Sequence, residues 1–150
     1  MPYVTQADLA ADIPPQFILQ ALDDDGDGAA DPGAWDLIAQ KVGNEIDAKI
    51  GGRYRVPMIP DTVKYPLTAG FPPVIAHAAQ VLAAEKLFTR RQMSGAKNPL
   101  AEEVAAVRAQ LTLIGKGELP LDPDDNRADP SASVITAPLQ TVSLGSRLSI

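Results

Sequence analysis

The sequence predicts an all-α protein, a small bundle of about four to five helices with an extended C-terminal arm that ends in short β-prone segments. Apolar residues recur at helical spacing in several segments before residue 117, and glycine or proline stands at the ends of these segments. Beyond residue 117 the composition becomes acidic and proline-rich. We therefore predict a helical domain over residues 1–117 and an arm over residues 118–150.

The composition excludes several classes of protein. The chain has 150 residues, which favours one domain, and it has no cysteine and one histidine, which excludes disulfides, thiolate nucleophiles and His- or Cys-rich metal centres. A net charge of −6 argues against specific nucleic-acid binding. The first residues have no signal-peptide pattern, and no apolar run reaches the roughly 20 residues of a membrane span. We expect a soluble protein without a membrane partner.

Two short helices are predicted first. Thr5 and Asp8 have the spacing of a capping box and begin a helix that extends to about residue 11. Pro14 and Pro15 then open a second helix over residues 15–22, because proline is tolerated in a first helical turn.

The third helix is predicted over residues 34–50. Its apolar positions fall on one stripe, and Gly51 and Gly52 follow its last residue, as is common at a helix C-terminus. The stripe consists of Trp35, Ile38, Val42, Ile46 and Ile50.

Residues 53–73 contain five prolines and predict an ordered crossover loop. The apolar residues expected to anchor this loop are Tyr54, Val56, Met58, Ile59 and Phe71. A helix over residues 74–93 follows, and its apolar residues cover so much of its circumference that we expect it at the centre of the bundle.

The last helix is predicted to begin at Pro99, with Asn98 as its N-cap residue, and to extend to about residue 114. Its apolar residues, spaced alternately by three and four, are expected to pack against the central helix. They are Leu100, Val104, Val107, Leu111 and Ile114.

The acidic loop over residues 23–33 suggests a cation site. Asp23, Asp25, Asp27 and Asp31 occupy positions 1, 3, 5 and 9 of an EF-hand-type loop, and Gly28 occupies position 6. Position 12 is an alanine, so the bidentate glutamate of such loops is missing, and Asp36 replaces it only if two residues are inserted. The site is therefore either a weak calcium site or a turn whose aspartates cap backbone N–H groups without a metal. No other cofactor is expected.

A basic and aromatic patch, Arg53-Tyr54-Arg55, follows the third helix. Two interpretations stay open: Tyr54 packs under the loop as a structural residue, or the arginines pair with an acidic partner protein. His77 has no serine or carboxylate pattern around it that would indicate nucleophilic catalysis, and the acidic residues lie in loops or at a helix start. We expect no enzymatic activity.

The arm is a second candidate partner-binding segment. Residues 118–133 are acidic and rich in proline, and the short segments after them are β-prone and nearly uncharged. Such segments can add a strand to the sheet edge of a partner. The candidate contact residues are Val134, Ile135, Val142 and Leu144.

Five segments in order resemble the small head–tail connector proteins of tailed bacteriophages, also called adaptor or head-completion proteins, particularly those of Mu-like phages. The resemblance covers about residues 3–119. Its segments are residues 5–9, 22–28, 44–54 with the following Pro57, 72–75 and 102–117.

The resemblance implies a structural subunit of the virion neck, made in the cytoplasm of the host bacterium. Such a subunit docks on the portal protein, contacts other neck or tail-completion proteins and assembles with itself into a ring that follows the portal's twelve-fold symmetry. DNA passes through the lumen of the ring without specific binding. The alternatives are a calcium-dependent helical interaction module built on the acidic loop and a hydrolase that uses paired carboxylates.

Overall fold

A computed structural model describes residues 2–121, and the predicted all-α class is confirmed. Five α-helices account for the regular structure, and no β-strand forms within residues 2–121. The helices are α1 (Gln6–Leu9), α2 (Pro15–Leu22), α3 (Ala34–Ile50), α4 (Pro73–Arg90) and α5 (Ala101–Lys116), with single 3-10 turns at Pro66–Thr68 and Gly95–Lys97. The predicted β-prone segments lie outside the described residues.

The helix starts agree with the predicted ones except at α4, which begins one residue earlier than predicted, and at α5. The Thr5 and Asp8 side chains form the expected capping box of α1, and proline stands at the first positions of α2 and α4. α5 begins at Ala101, two residues later than the predicted Pro99. The prediction of Asn98 as the N-cap residue was therefore wrong: Leu100 is the N-cap residue, and Asn98 Oδ1 accepts the N–H of Leu100 at 2.9 Å in the turn before the helix.

Both long C-terminal helices end in Schellman motifs. Gln92 has a positive φ of 60°, and the N–H of Met93 donates to the carbonyl of Phe88, so α4 ends at Arg90 rather than at the predicted residue 93. Gly117, with φ 81°, ends α5 in the same way after Lys116, two residues later than predicted. Gly117 indicates the end of α5 in the sequence. Gln92 does not indicate the end of α4, because glutamine is an uncommon residue in the left-handed conformation.

α4 is the central helix. It packs against α3 and α5, which also pack against each other, while α2 and the short α1 cover another side of α4. Nine of its residues are buried, as its apolar circumference predicted. The predicted seam of α5 is confirmed for Val104, Val107, Leu111 and Ile114, all of which are buried, while Leu100 is partly buried.

A segment that includes α4, Pro66–Arg90, is long and apolar enough by length and composition to cross a membrane. Within it, 61% of the apolar window is buried inside the bundle. This burial is what a core helix of a helical bundle shows. The sequence-based expectation that no apolar stretch reaches this length therefore missed α4.

α3 and α5 approach most closely at Gly115. A Cβ atom placed on this residue would lie 1.9 Å from the carbonyl oxygen of Lys49, so only glycine fits between the two backbones. These two helices share an ion-pair cluster with α4, in which Arg108 of α5 contacts Glu45 of α3 at 2.6 Å and Glu85 of α4 at 2.7 Å. Burial alone would raise the pKa of Glu45, but hydrogen bonds from Arg108 and Lys86 outweigh it and hold this pKa below its ordinary value.

Candidate functional site

The acidic loop brings three of its four candidate ligands together. One carboxylate oxygen from each of Asp23, Asp25 and Asp27 lies within 4.8 Å of the others. The loop backbone folds around these side chains: Asp23 accepts the N–H groups of Gly26 and Gly28 at 2.7 and 2.8 Å. The Gly28 N–H is the main reason why the pKa of Asp23 lies below its ordinary value. Three convergent carboxylates are suitable oxygen ligands for a hard cation such as calcium.

Asp31, the fourth candidate, does not join this group. Its Oδ2 accepts the backbone N–H of Asp24 at 2.7 Å, and its own N–H donates to the carbonyl of Leu22 at 2.9 Å. Asp31 therefore closes the base of the loop. Asp36 lies in the first turn of α3 and is also outside the three-carboxylate group.

The loop is fixed to the central helix by Arg90. Its guanidinium contacts both carboxylate oxygens of Asp24 at 2.6 Å, and its Nε donates to the carbonyl of Ala21 at 2.7 Å. Arg90 lies in the last turn of α4. The structure shows that it joins α4 to the end of α2 and to the acidic loop.

The Arg53-Tyr54-Arg55 patch separates into three environments. Tyr54 is fully buried, which supports its interpretation as a packing residue, and its hydroxyl accepts the N–H of Leu121 at 3.2 Å. The Arg53 guanidinium packs against Gly117, and its Nε is buried without a hydrogen-bond partner among the described residues. Arg55 is exposed. Of the three, Arg55 is the residue whose side chain is best placed to meet a partner.

The first residues of the predicted arm contact the helical domain. Leu119 and Leu121 pack against the hydrophobic core, and Tyr54 binds the backbone of Leu121. The candidate contact residues of the arm, Val134, Ile135, Val142 and Leu144, lie outside the described residues.

His77 lies on the exposed side of α4 and contacts Glu103 of α5, with His77 Nε2 and Glu103 Oε1 3.3 Å apart. Both side chains are about half exposed. This pair lies at the edge of a groove of about 460 Å³ between α4, the start of α5 and the segment that joins α1 to α2. The groove was not predicted from the sequence.

The crossover loop contains the most exposed large apolar side chains of residues 2–121. Tyr54, Met58 and Phe71 are buried anchors, as predicted, and Val56 packs partly against the core. The expectation for Ile59 was wrong, because its side chain is 67% exposed. The loop turns away from the core after Met58.

Val63 and Leu67, with exposures of 92% and 96%, extend this apolar surface. Sequence reasoning missed these two residues because an apolar side chain in a proline-rich loop is equally compatible with anchoring and with exposure. We call residues 59–70 the apolar loop.

Comparisons with known proteins identify a bacteriophage family. The family model described as Bacteriophage Mu, Gp36 matches residues 3–137. The match extends beyond residues 3–119, the range over which the resemblance was noted, and includes part of the predicted arm. No curated protein and no solved structure matches the chain. Since the match spans most of its length, the chain belongs to the bacteriophage Mu Gp36 family.

Proposed function

We propose that this phage protein is a structural subunit of the virion neck, a head–tail connector that docks on the portal protein and links the DNA-filled head to the neck or tail. The observation that carries the proposal is the exposure of the apolar loop in a protein that belongs to a phage family. Val63 and Leu67 are almost completely exposed there, and clustered exposed apolar side chains usually mark a protein–protein contact. The proposal includes no catalytic step.

The backbone of the apolar loop supports this assignment. Asp61 Oδ1 accepts the N–H groups of Val63 and Lys64 at 3.1 and 3.0 Å, and the Asp61 N–H donates to the carbonyl of Gly70 at 2.8 Å. The side chain of Thr68 also donates to the carbonyl of Phe71. A loop held by its own hydrogen bonds loses little conformational entropy when a partner binds it.

The charge of the chain also suits a channel-forming subunit. The net charge is −6, and a ring with an acidic surface does not bind the phosphate backbone of DNA that passes through it. Other copies of the chain, the portal protein and further neck or tail-completion proteins are the proposed partners. Twelve copies would match the portal symmetry.

A nonsense mutation in the gene, in a phage grown on suppressing and non-suppressing hosts, tests the proposal. Without the protein, lysates should contain DNA-filled heads and separate tails, and suppression should restore joined particles. Electron microscopy of labelled particles should then place the protein at the neck. Joined, infectious particles that lack the chain would overturn the proposal, as would label found only on the capsid shell or the tail tip.

A further inference from the structure

The apolar loop is a protrusion whose shape is fixed by the chain. Gly70 closes its base with a φ of 93°, and a Cβ on this residue would lie 2.7 Å from the Asp61 nitrogen, so a larger residue does not fit. Val63 and Leu67 are thus held outward on a closed turn. Both can be buried by a partner without reordering the backbone.

The groove beside α4 has apolar walls that a protruding apolar side chain of a partner can reach. Its walls come from Ile13, Val81, Ala84, Phe88 and Leu100, and its volume is about 460 Å³. Phe88 and Leu100 are only partly buried, so apolar surface remains accessible there. The groove is therefore a receptor for a small apolar protrusion.

The charges of the two surfaces are complementary. Two exposed cationic side chains lie in the apolar loop and just before it, Lys64 and Arg55, against one acidic side chain, Asp61, in a chain whose net charge is −6. Asp12 and Glu103, both exposed, are acidic residues of the groove. The small positive excess of residues 55–70 and the acidic residues of the groove attract each other and favour one orientation of docking.

Neither surface fills the other within one chain, because the loop side chains are exposed and the groove is open. We propose that the apolar loop of one copy docks into the α4 groove of a second copy. Two different surfaces then meet, so the contact is heterologous and repeats from copy to copy until a ring closes. The inference rests on the proposed function, because it supplies the contact by which the connector subunits would form a ring.

The full-length protein tests the inference by its mass in solution. Size-exclusion chromatography with light scattering should give a mass several times the 15.8 kDa of the chain. Leu67→Glu, which places a charge on the loop, and Gln80→Trp, which fills the groove, should each weaken association at least about 30-fold, as expected for a central contact residue. Glu103→Lys is a second groove variant at an exposed position.

Leu37→Glu is the matched control. Leu37 is a 47% exposed apolar residue of α3 outside both surfaces, so this variant should keep the wild-type mass. Circular dichroism and thermal unfolding should show that every variant is folded.

Mixing the variants distinguishes docking between different surfaces from symmetric pairing. A Leu67→Glu chain retains its groove, and a Gln80→Trp chain retains its loop, so the two should form a 1:1 dimer that grows no further. Because the chain has no cysteine, Leu67→Cys and Gln80→Cys chains can also be mixed and oxidised, and a disulfide between the two chains should form.

Three results would overturn the inference: a monomeric wild-type protein at about 100 μM, groove variants that dissociate while Leu67→Glu does not, or no dimer on mixing. None of these results bears on the nonsense-mutation test, which depends only on whether heads and tails join. Conversely, joined particles without the protein would refute the connector role but leave the loop-in-groove contact measurable in solution.

Discussion

Replacing Gly115 by alanine should destabilise the protein, although alanine is the better helix former. Glycine inside a helix costs about 1 kcal/mol relative to alanine, so propensity alone predicts a more stable variant. The new Cβ, however, would lie 1.9 Å from the Lys49 carbonyl oxygen, whereas real Cβ atoms essentially never approach a neighbour within 3.0 Å. α3 and α5 must therefore separate by about 1.1 Å at this point, the difference between these two distances.

The separation disturbs backbone that lies beside the core. Ile50 of α3 and Ile114 of α5 adjoin the contact, and both are fully buried. Overpacking of a well-packed core costs about 1–3 kcal/mol, and the obstacle here is backbone rather than a flexible side chain. We therefore expect a cost in the upper part of this range, about 2–3 kcal/mol, which after subtraction of the propensity gain leaves a net loss of about 1–2 kcal/mol and a fall in Tm of roughly 4–8 °C.

Gly43 is the matched control for this substitution. It also lies within a long helix, but a Cβ placed on it would have a ring carbon of Tyr3 as its nearest neighbour, at 3.8 Å, which is an ordinary contact distance. Gly43→Ala should therefore raise the stability by about 0.5–1 kcal/mol. Urea unfolding followed by circular dichroism measures both variants. An equal gain from both substitutions would refute the argument that α3 and α5 touch through Gly115.

Four other predictions concern the bundle, the acidic loop and the chain end. Leu111→Ala should cost about 2–5 kcal/mol in urea unfolding, because its side chain is fully buried. Since the pKa of Glu45 is lowered in the folded state, its contribution is present above about pH 4.5 and is lost as the pH falls through the folded pKa; the stability difference from Glu45→Gln should shrink over that range. If the acidic loop binds calcium, millimolar calcium should raise Tm and Asp25→Asn should abolish the rise, whereas an unchanged Tm would leave the loop as a metal-free turn. Truncation after Leu121 should keep the Tm of the helical domain, but truncation after Gly117 should lower it, because the latter removes two leucines that pack on the core.

The elements with strong local signals could be predicted from the sequence. The bounds of α2 and α3 agree with the prediction, because proline begins α2, glycine flanks α3 at both ends and the apolar residues of both helices repeat at helical spacing. The end of α4 could not be predicted, since it depends on Gln92 adopting a positive φ. A helix end marked by proline or glycine is decided by local residues, but an end set by an uncommon conformation is decided by packing.

The candidate site was predictable only in part. The spacing of Asp23, Asp25 and Asp27 indicated their convergence, because alternate residues of such a loop face one point. Asp31 shares the spacing but bonds to the Asp24 backbone instead, which depends on the way the loop closes. The exposure of Leu67 and the groove beside α4 arise from tertiary packing, and no local pattern reports them.

The hydrogen bond between the Tyr54 hydroxyl and the Leu121 N–H determines where a pulling force applied at the C-terminus acts on the helical domain. Leu121, the last described residue, is bonded to Tyr54, a buried tyrosine that follows α3. A pull on the rest of the chain is therefore carried by the core rather than by a single frayed helix turn. In single-molecule stretching from the C-terminus, Tyr54→Phe should let the last residues peel away at lower force while the bundle unfolds at an unchanged one.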